Sequence, residues 1–138
     1  MPEQLIKGRE DVFFGYEFAI QGGELPDDVI KYYVRLVSDP DALRGSLGWY
    51  RALDATLAQN EQRKSRPLTR PVLAIGGEAS YGEHVGDAMM ALADDVQSVV
   101  ITGTGHWVAE DAPEEMLAAL TEFLAPYREG SHLLVRGR

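Results

Sequence analysis

The sequence predicts an α/β fold, helix-rich overall, in which helices precede a strand-helix-strand-helix unit. Residues 1–60 carry apolar side chains at helical spacing and show no strand pattern. Residues 71–128 contain two short apolar runs, each ended by glycine and followed by a helical pattern. Strands that alternate with helices form parallel units with a right-handed crossover. The chain is therefore predicted to have two parts of different character.

Three helical segments are predicted in the first part. The run "DVFFGYEFAIQ", residues 11–21, is apolar almost all round and is ended by a glycine pair. The second segment begins at Pro26, and two aspartates that follow suit the positive end of a helix dipole. A third segment covers residues 39–60, where Gly45 and Gly48 weaken the helix or mark a break.

The second part is predicted to hold two buried parallel strands. These are "PVLAIGG" (71–77) and "QSVVITG" (97–103), with a helix over residues 82–95 between them. Asp111 is expected to open the last helix, with Glu114 completing a capping box. Two parallel strands do not make a stable sheet alone, so a partner or a larger protein is expected to supply others.

Two further segments lie between and after these parts. Residues 61–70 form a proline-bounded stretch that is typical of a linker, and residues 129–138 are predicted to be a frayed tail.

Composition excludes several classes of function. The net charge is −9 and the basic residues are scattered, which argues against a nucleic-acid partner. The absence of cysteine excludes disulfides, thiolate metal sites and a cysteine nucleophile. No apolar run is long enough to span a membrane, and "MPEQLIKGRED" lacks the pattern of a signal peptide, so a cytoplasmic protein is expected.

His106 is the candidate catalytic residue. It follows the second strand at a position where open α/β sheets bind ligands, and it can exchange a proton near neutral pH. The alternative is a loop histidine that makes only local hydrogen bonds. His84 and His132 are assigned no role.

No nucleophile is apparent in the chain. It contains neither G-x-S-x-G nor an equivalent aspartate elbow. The nearest match is "EASYG" (78–82), where Glu78 replaces the first glycine and would crowd a tight turn. Ser80 is therefore not expected to act as a nucleophile.

Three motifs, in order, resemble the C-terminal portion of an α/β-hydrolase of the epoxide-hydrolase type. "RGSLGWYRAL" (44–53) is similar to the end of that family's helical cap, and "RPVLAIGGE" (70–78) to the strand that re-enters the core. "GTGHWVAEDAPEEM" (103–116) is similar to the catalytic-histidine loop and final helix. The resemblance covers about residues 2–128 and implies a partial α/β-hydrolase fold, with a cap segment over 1–60 and core over 71–128.

The resemblance also implies a two-step mechanism without metal or organic cofactor. An aspartate attacks a small apolar epoxide to form an ester, which water activated by His106 hydrolyses to a vicinal diol. Tyr50 donates a hydrogen bond to the epoxide oxygen as the ring opens, while Trp107 and Trp49 contribute to substrate binding. The alternative for Tyr50 and Trp107 is ordinary packing of aromatic side chains.

The chain departs from the family pattern in two ways. Ser80 stands where the acid that orients the histidine usually lies, and Glu78 is a weak substitute, so an acid after an earlier core strand is favoured. The nucleophile elbow and the oxyanion-hole loop are also absent, which implies a truncated hydrolase that is inactive alone.

Two other functions stay open. A dehalogenase acting on a small haloacid or haloalkane has a similar loop, although the tyrosine at position 50 favours the epoxide. A non-catalytic binding or assembly module would pair either with a second copy, as a homo-oligomer, or with a complementing N-terminal half.

Overall fold

A computed structural model describes residues 2–128. Met1 and the predicted tail at 129–138, with His132, lie outside the described residues. The elements follow in the order α1 (Pro2–Ile6), α2 (Glu10–Ile20), α3 (Asp27–Val37), α4 (Pro40–Arg51), α5 (Leu53–Arg63), β1 (Val72–Gly77), α6 (His84–Met90), β2 (Val96–Ile101), α7 (Val108–Asp111), α8 (Pro113–Leu124) and a 3₁₀ turn (Ala125–Tyr127).

The predicted helices of the first part are present, and local sequence explains where they begin. Asp39 caps α4, since one carboxylate oxygen accepts hydrogen bonds from the amides of Asp41 and Ala42 at 2.9 and 3.0 Å. Pro40 occupies the first turn, where its missing N–H costs nothing.

A break in the third helical segment lies at Ala52, not at Gly45 or Gly48. Helix α4 runs through both glycines, and the backbone changes direction at Ala52 with φ −86° and ψ 0°. The Ala52 amide is shared between the carbonyls of Gly48 and Trp49, as is common at helix ends. Helix α5 then continues to Arg63, three residues into the polar stretch at 61–70.

The two strands pair in parallel, as predicted. The register runs from Val72 beside Val96 to Gly77 beside Ile101, and α6 connects the strands. Helix α6 contacts both strands, and α8 also contacts both. Gly86 brings α6 close to the sheet, because a β-carbon there would lie 2.7 Å from Cβ of Ser98.

Helix α6 is shorter than the predicted helix over 82–95. It begins only after Gly82, whose φ of +52° is left-handed, and it ends at Met90. Beyond it the backbone bonds to the segment before β1: Leu68 donates to the carbonyl of Leu92, and Asp94 donates to the carbonyl of Leu68.

The predicted capping box of Asp111 and Glu114 is wrong. Asp111 is the last residue of α7, and α8 begins at Pro113 after Ala112, which has φ −141° and ψ 64°. The residue before a proline is driven out of the helical region, so the chain breaks at Ala112. The Asp111 carboxylate accepts a hydrogen bond from Gly105 instead.

The buried core is small. Its apolar members are Ile6, Phe18, Leu43, Ala74, Ala93, Ile101 and Ala112. Among residues 2–128 no large side chain is fully buried, while many large apolar side chains face solvent, including Leu5, Leu117 and Trp49. No helix within the described range is long and apolar enough to cross a membrane.

Replacing Gly77 with alanine should destabilise the protein. A β-carbon there would lie 2.9 Å from both the carbonyl carbon of Gly105 and the carbonyl oxygen of Thr104, which are backbone atoms that cannot swing away. We expect a loss of about 1–3 kcal/mol in the free energy of unfolding, measured by urea denaturation. Gly45→Ala is the control: nothing lies within 4 Å of its β-carbon, and alanine should stabilise α4 by about 0.5–1 kcal/mol. Equal or greater stability of Gly77→Ala would contradict the close contact.

Candidate active site

His106 lies in the loop of residues 102–107, hereafter the histidine loop, which joins β2 to α7. The loop leaves the carboxyl end of a parallel strand, where ligands bind in open α/β sheets. His106 is exposed, and its ring meets the Trp107 ring edge-on with centroids 4.8 Å apart. The predicted position beyond the second strand is confirmed.

Hydrogen bonds from several elements hold the histidine loop. The Gly103 amide donates to the Glu78 carboxylate at 2.9 Å, and the Gly105 amide donates to Asp111 at 3.0 Å. The His106 amide donates to the carbonyl of Gln21 at 3.0 Å. The loop is therefore bound to the end of β1, to α7 and to the turn between α2 and α3.

Close backbone contacts complete this packing. Gly105 is buried against the α2–α3 turn, since a β-carbon at Gly105 would lie 2.7 Å from the amide nitrogen of Gly23. In that turn Gly22 has φ +73°, and a β-carbon there would lie 3.3 Å from Cα of Gly105. A left-handed backbone and a short distance both favour glycine at this turn.

An open pocket of about 460 Å³ lies beside His106. Its lining includes Trp107, Glu110, Tyr33 of α3, Ile75 of β1 and Met116 of α8. The walls are mostly apolar, and the polar groups are an imidazole, a phenol and a carboxylate. Such a site suits a small, mostly apolar ligand that meets a few polar groups.

Tyr33 is a site residue that sequence reasoning missed. Its hydroxyl donates to the Glu110 carboxylate, and this hydrogen bond is the main reason that the pKa of Tyr33 is raised. Phe18 stacks on Tyr33 with ring centroids 5.9 Å apart and contacts Trp107 at 4.9 Å. Tyr33 lies in the second predicted helical segment, and its hydroxyl is the one feature of the sequence that indicates a polar partner.

The other predicted site residues lie elsewhere. Tyr50 and Trp49 are in α4, where their side chains are 77% and 81% exposed. Neither is among the residues that line the pocket beside His106. The structure thus brings His106 and Trp107 together, and the roles of Tyr50 and Trp49 stay predictions.

The nearby carboxylates bind amides of the histidine loop. Glu78 accepts from Gly103 and Asp111 accepts from Gly105. Ser80 lies in the turn after β1, where its amide donates to the carbonyl of Gly77. Between residues 2 and 128 no carboxylate is hydrogen-bonded to the His106 imidazole, and no cluster of three or more acidic or histidine side chains is arranged to hold a metal ion.

Comparison with solved structures defines the class of fold. A protein from Nostoc sp PCC 7120 that is described as an α/β-hydrolase is similar to this chain with a TM-score of 0.79 and 25% identity, over 90% of this chain and 45% of that one. No model of a known protein family matches the chain. The fold is therefore part of an α/β-hydrolase fold, as the sequence predicted.

Curated relatives narrow the class further. The soluble epoxide hydrolase of Corynebacterium sp. (strain C12) is 29% identical over 102 residues, which are 74% of this chain and 35% of the relative. Epoxide hydrolase B of Mycobacterium tuberculosis (strain H37Rv) is 32% identical over 89 residues, or 61% of this chain and 25% of the relative. The chain is related to the epoxide-hydrolase-like α/β-hydrolases, and it spans about a third or less of the length of these relatives.

Replacing Glu110 with alanine should lower the pKa of Tyr33 towards the ordinary tyrosine value. The carboxylate accepts the phenol proton and repels a phenolate, so the folded protein favours neutral Tyr33. Because this pKa is raised, the contact stabilises the fold below the ordinary tyrosine pKa, and the effect is lost as pH rises through the raised value. Ultraviolet titration, with Tyr33→Phe identifying the Tyr33 signal, measures the change.

The control for this titration is Glu115→Ala, which removes an exposed carboxylate from α8. It should leave the Tyr33 transition where it is in the unmodified protein. An unchanged Tyr33 transition in Glu110→Ala would show that the contact does not control the phenol.

Proposed function

We propose that this chain supplies the helical cap segment and the catalytic-histidine part of an epoxide hydrolase. The enzyme converts a small apolar epoxide into a vicinal diol. One observation carries the proposal: His106 is exposed beyond the carboxyl end of β2 and faces a mostly apolar pocket that it shares with Trp107. The similarity to named epoxide hydrolases supports the same reaction.

The first step forms an ester. A carboxylate from a polypeptide segment outside these residues attacks an epoxide carbon, and the carbon–oxygen bond on that carbon breaks. The released oxygen develops negative charge and needs a hydrogen-bond donor. We assign this role to Tyr50 of α4 on the strength of the motif at 44–53; its side chain is exposed and does not line the pocket beside His106.

The second step releases the diol. The His106 imidazole removes a proton from water, and the resulting hydroxide attacks the carbonyl carbon of the ester. The ester bond then breaks, and the departing oxygen takes the proton from the His106 imidazolium. The carboxylic acid that forms gives up its proton, which balances the proton needed by the oxygen released in the first step, so that the diol is freed and the attacking carboxylate is restored. Trp107 forms an apolar wall beside the imidazole. Trp49 is assigned to substrate binding from the cap side because it belongs to the motif at 44–53.

The acid that orients His106 also comes from outside these residues. Glu78 and Asp111 are the acids bonded to the histidine loop, but each carboxylate is engaged by a backbone amide. A hydroxyl at Ser80 would stabilise an imidazolium less well than a carboxylate does. We expect the chain alone to be inactive, because it also contains no nucleophile elbow.

A complementing N-terminal half is the proposed partner. Both described strands have an outer edge without a neighbouring strand, and unpaired edges accept further strands. Large apolar side chains that face solvent, such as Leu117 and Leu124 of α8, provide surface for such a half. The alternative partner for these strand edges and apolar side chains is a second copy of this chain. We also propose a cytoplasmic location, which is compatible with the name of one relative, soluble epoxide hydrolase.

Activity should appear when the chain is combined with the N-terminal half of a related epoxide hydrolase and given styrene oxide. Replacing His106 with glutamine should stop turnover at the ester, lowering diol formation by about 100-fold or more, and mass spectrometry should detect the ester. Tyr50→Phe should lower kcat by about 100-fold, because the developing oxyanion loses its donor.

Tyr81→Phe is the matched control, because Tyr81 is 70% exposed and lies outside the pocket. It should leave kcat unchanged. Undiminished diol formation by Tyr50→Phe would refute the role of that residue. Fluoride release from fluoroacetate without diol formation from styrene oxide would instead favour a dehalogenase.

The chain alone should self-associate, and the complementing half should convert it into a complex of one copy of each. Exposed apolar side chains and open strand edges drive both events. Size-exclusion chromatography with light scattering distinguishes these states. A monomer that unfolds cooperatively in the absence of any partner would contradict the need for a second half.

A further inference from the structure

We propose that Asp111 is a positioning residue for His106. Its carboxylate, seated against Gly23, fixes the backbone of the histidine loop and thereby the direction of the imidazole. The inference rests on the proposed function for its catalytic meaning, although the contact itself can be measured without catalysis.

The first support is the hydrogen bond that Asp111 makes. The Gly105 amide, directly before His106, donates to Oδ2 of Asp111 at 3.0 Å in a partly buried position. A hydrogen bond to an ionised acceptor is stronger than one between neutral groups. The Asp111 amide in turn donates to the carbonyl of Trp107 at 2.9 Å. Asp111 is therefore hydrogen-bonded to the residue before His106 and to the residue after it.

The second support is the space that Gly23 leaves for the carboxylate. A β-carbon at Gly23 would lie 2.6 Å from Cγ of Asp111 and would displace it. Gly23 also has φ +87°, a conformation that side chains disfavour. The α2–α3 turn is therefore shaped to receive this acid.

The third support is that the same turn holds the next amide. His106 donates to the carbonyl of Gln21 at 3.0 Å, and Gly105 lies against Gly22 and Gly23. The amides of two consecutive residues, Gly105 and His106, thus have separate acceptors. Together these hydrogen bonds restrict the backbone at the Cα that carries the imidazole.

Amide hydrogen exchange of the 138-residue chain, followed by NMR, tests the proposal. Asp111→Ala removes the acceptor and should speed exchange at Gly105 by about tenfold or more, without changing the β1–β2 ladder. The ring signals of His106 should shift, while those of His84 and His132 serve as internal references. Asp111→Asn keeps an acceptor oxygen and should have a smaller effect, about threefold.

A pair of glycine variants separates the contact from backbone strain. Gly23→Ala should displace the carboxylate and speed exchange at Gly105, as Asp111→Ala does. Gly8→Ala incurs similar strain at φ +79°, but nothing lies within 4 Å of its β-carbon, so Gly105 should exchange at its original rate. If Asp111→Ala fails to fold, Asp111→Asn and the glycine pair still decide the question.

The proposal is overturned if Gly105 exchange and the His106 ring signals are the same in Asp111→Asn, Gly23→Ala and the unmodified chain. In the complemented enzyme, Asp111→Asn should lower kcat and KM for styrene oxide by about the same factor, because hydrolysis of the ester slows while substrate binding and ester formation are kept. Absence of diol formation from the complemented but otherwise unmodified enzyme would count against the proposed function alone, and the exchange results would still stand.

Discussion

Contact between glycine backbones determines where His106 lies. Gly77 at the end of β1 lies against Gly105, and Gly105 in turn lies against Gly22 and Gly23. At each contact, neighbouring backbone atoms occupy the space that a β-carbon would need. The end of β1, the histidine loop and the α2–α3 turn therefore pack together without side chains between them. The position of the imidazole is thus set by main-chain atoms, which have few alternative conformations. Much of the surrounding pocket depends on this close approach.

Two acids stabilise this arrangement from opposite sides of the loop. Glu78 reaches from the end of β1 to the Gly103 amide, and Asp111 reaches back from α7 to the Gly105 amide. The Asp111 bond is partly buried and, as a hydrogen bond to a charged group, contributes about 1.5–3 kcal/mol. The Glu78 bond is exposed, and competition from water reduces its contribution. Both carboxylates are thus engaged with backbone amides of the loop, and within residues 2–128 neither is hydrogen-bonded to the His106 imidazole.

The sequence predicted what depends on local periodicity. The parallel strand pair and the place of His106 beyond its second member follow from apolar runs ended by glycine, and the structure has both. Contacts between distant residues were not predictable in this way. The hydroxyl of Tyr33 meets Glu110 across 77 positions of sequence, and the Asp111 carboxylate binds Gly105 rather than the helix that follows it. The local sequence pattern predicted that Asp111 caps the last helix, because such a pattern carries no information about a tertiary contact that occupies the same carboxylate.

The hydrogen bond from His106 to Gln21 restricts which changes of chain length the protein can accept. One residue inserted or deleted between α2 and α3 would shift the chain that follows it by about 3.5 Å, so the Gln21 carbonyl and the glycines at 22 and 23 could not all keep their contacts with the histidine loop. The connection between α5 and β1 carries no comparable link to the histidine loop within the described residues. Relatives should therefore keep a constant number of residues in the short turn at 21–26, while their lengths vary around 64–67.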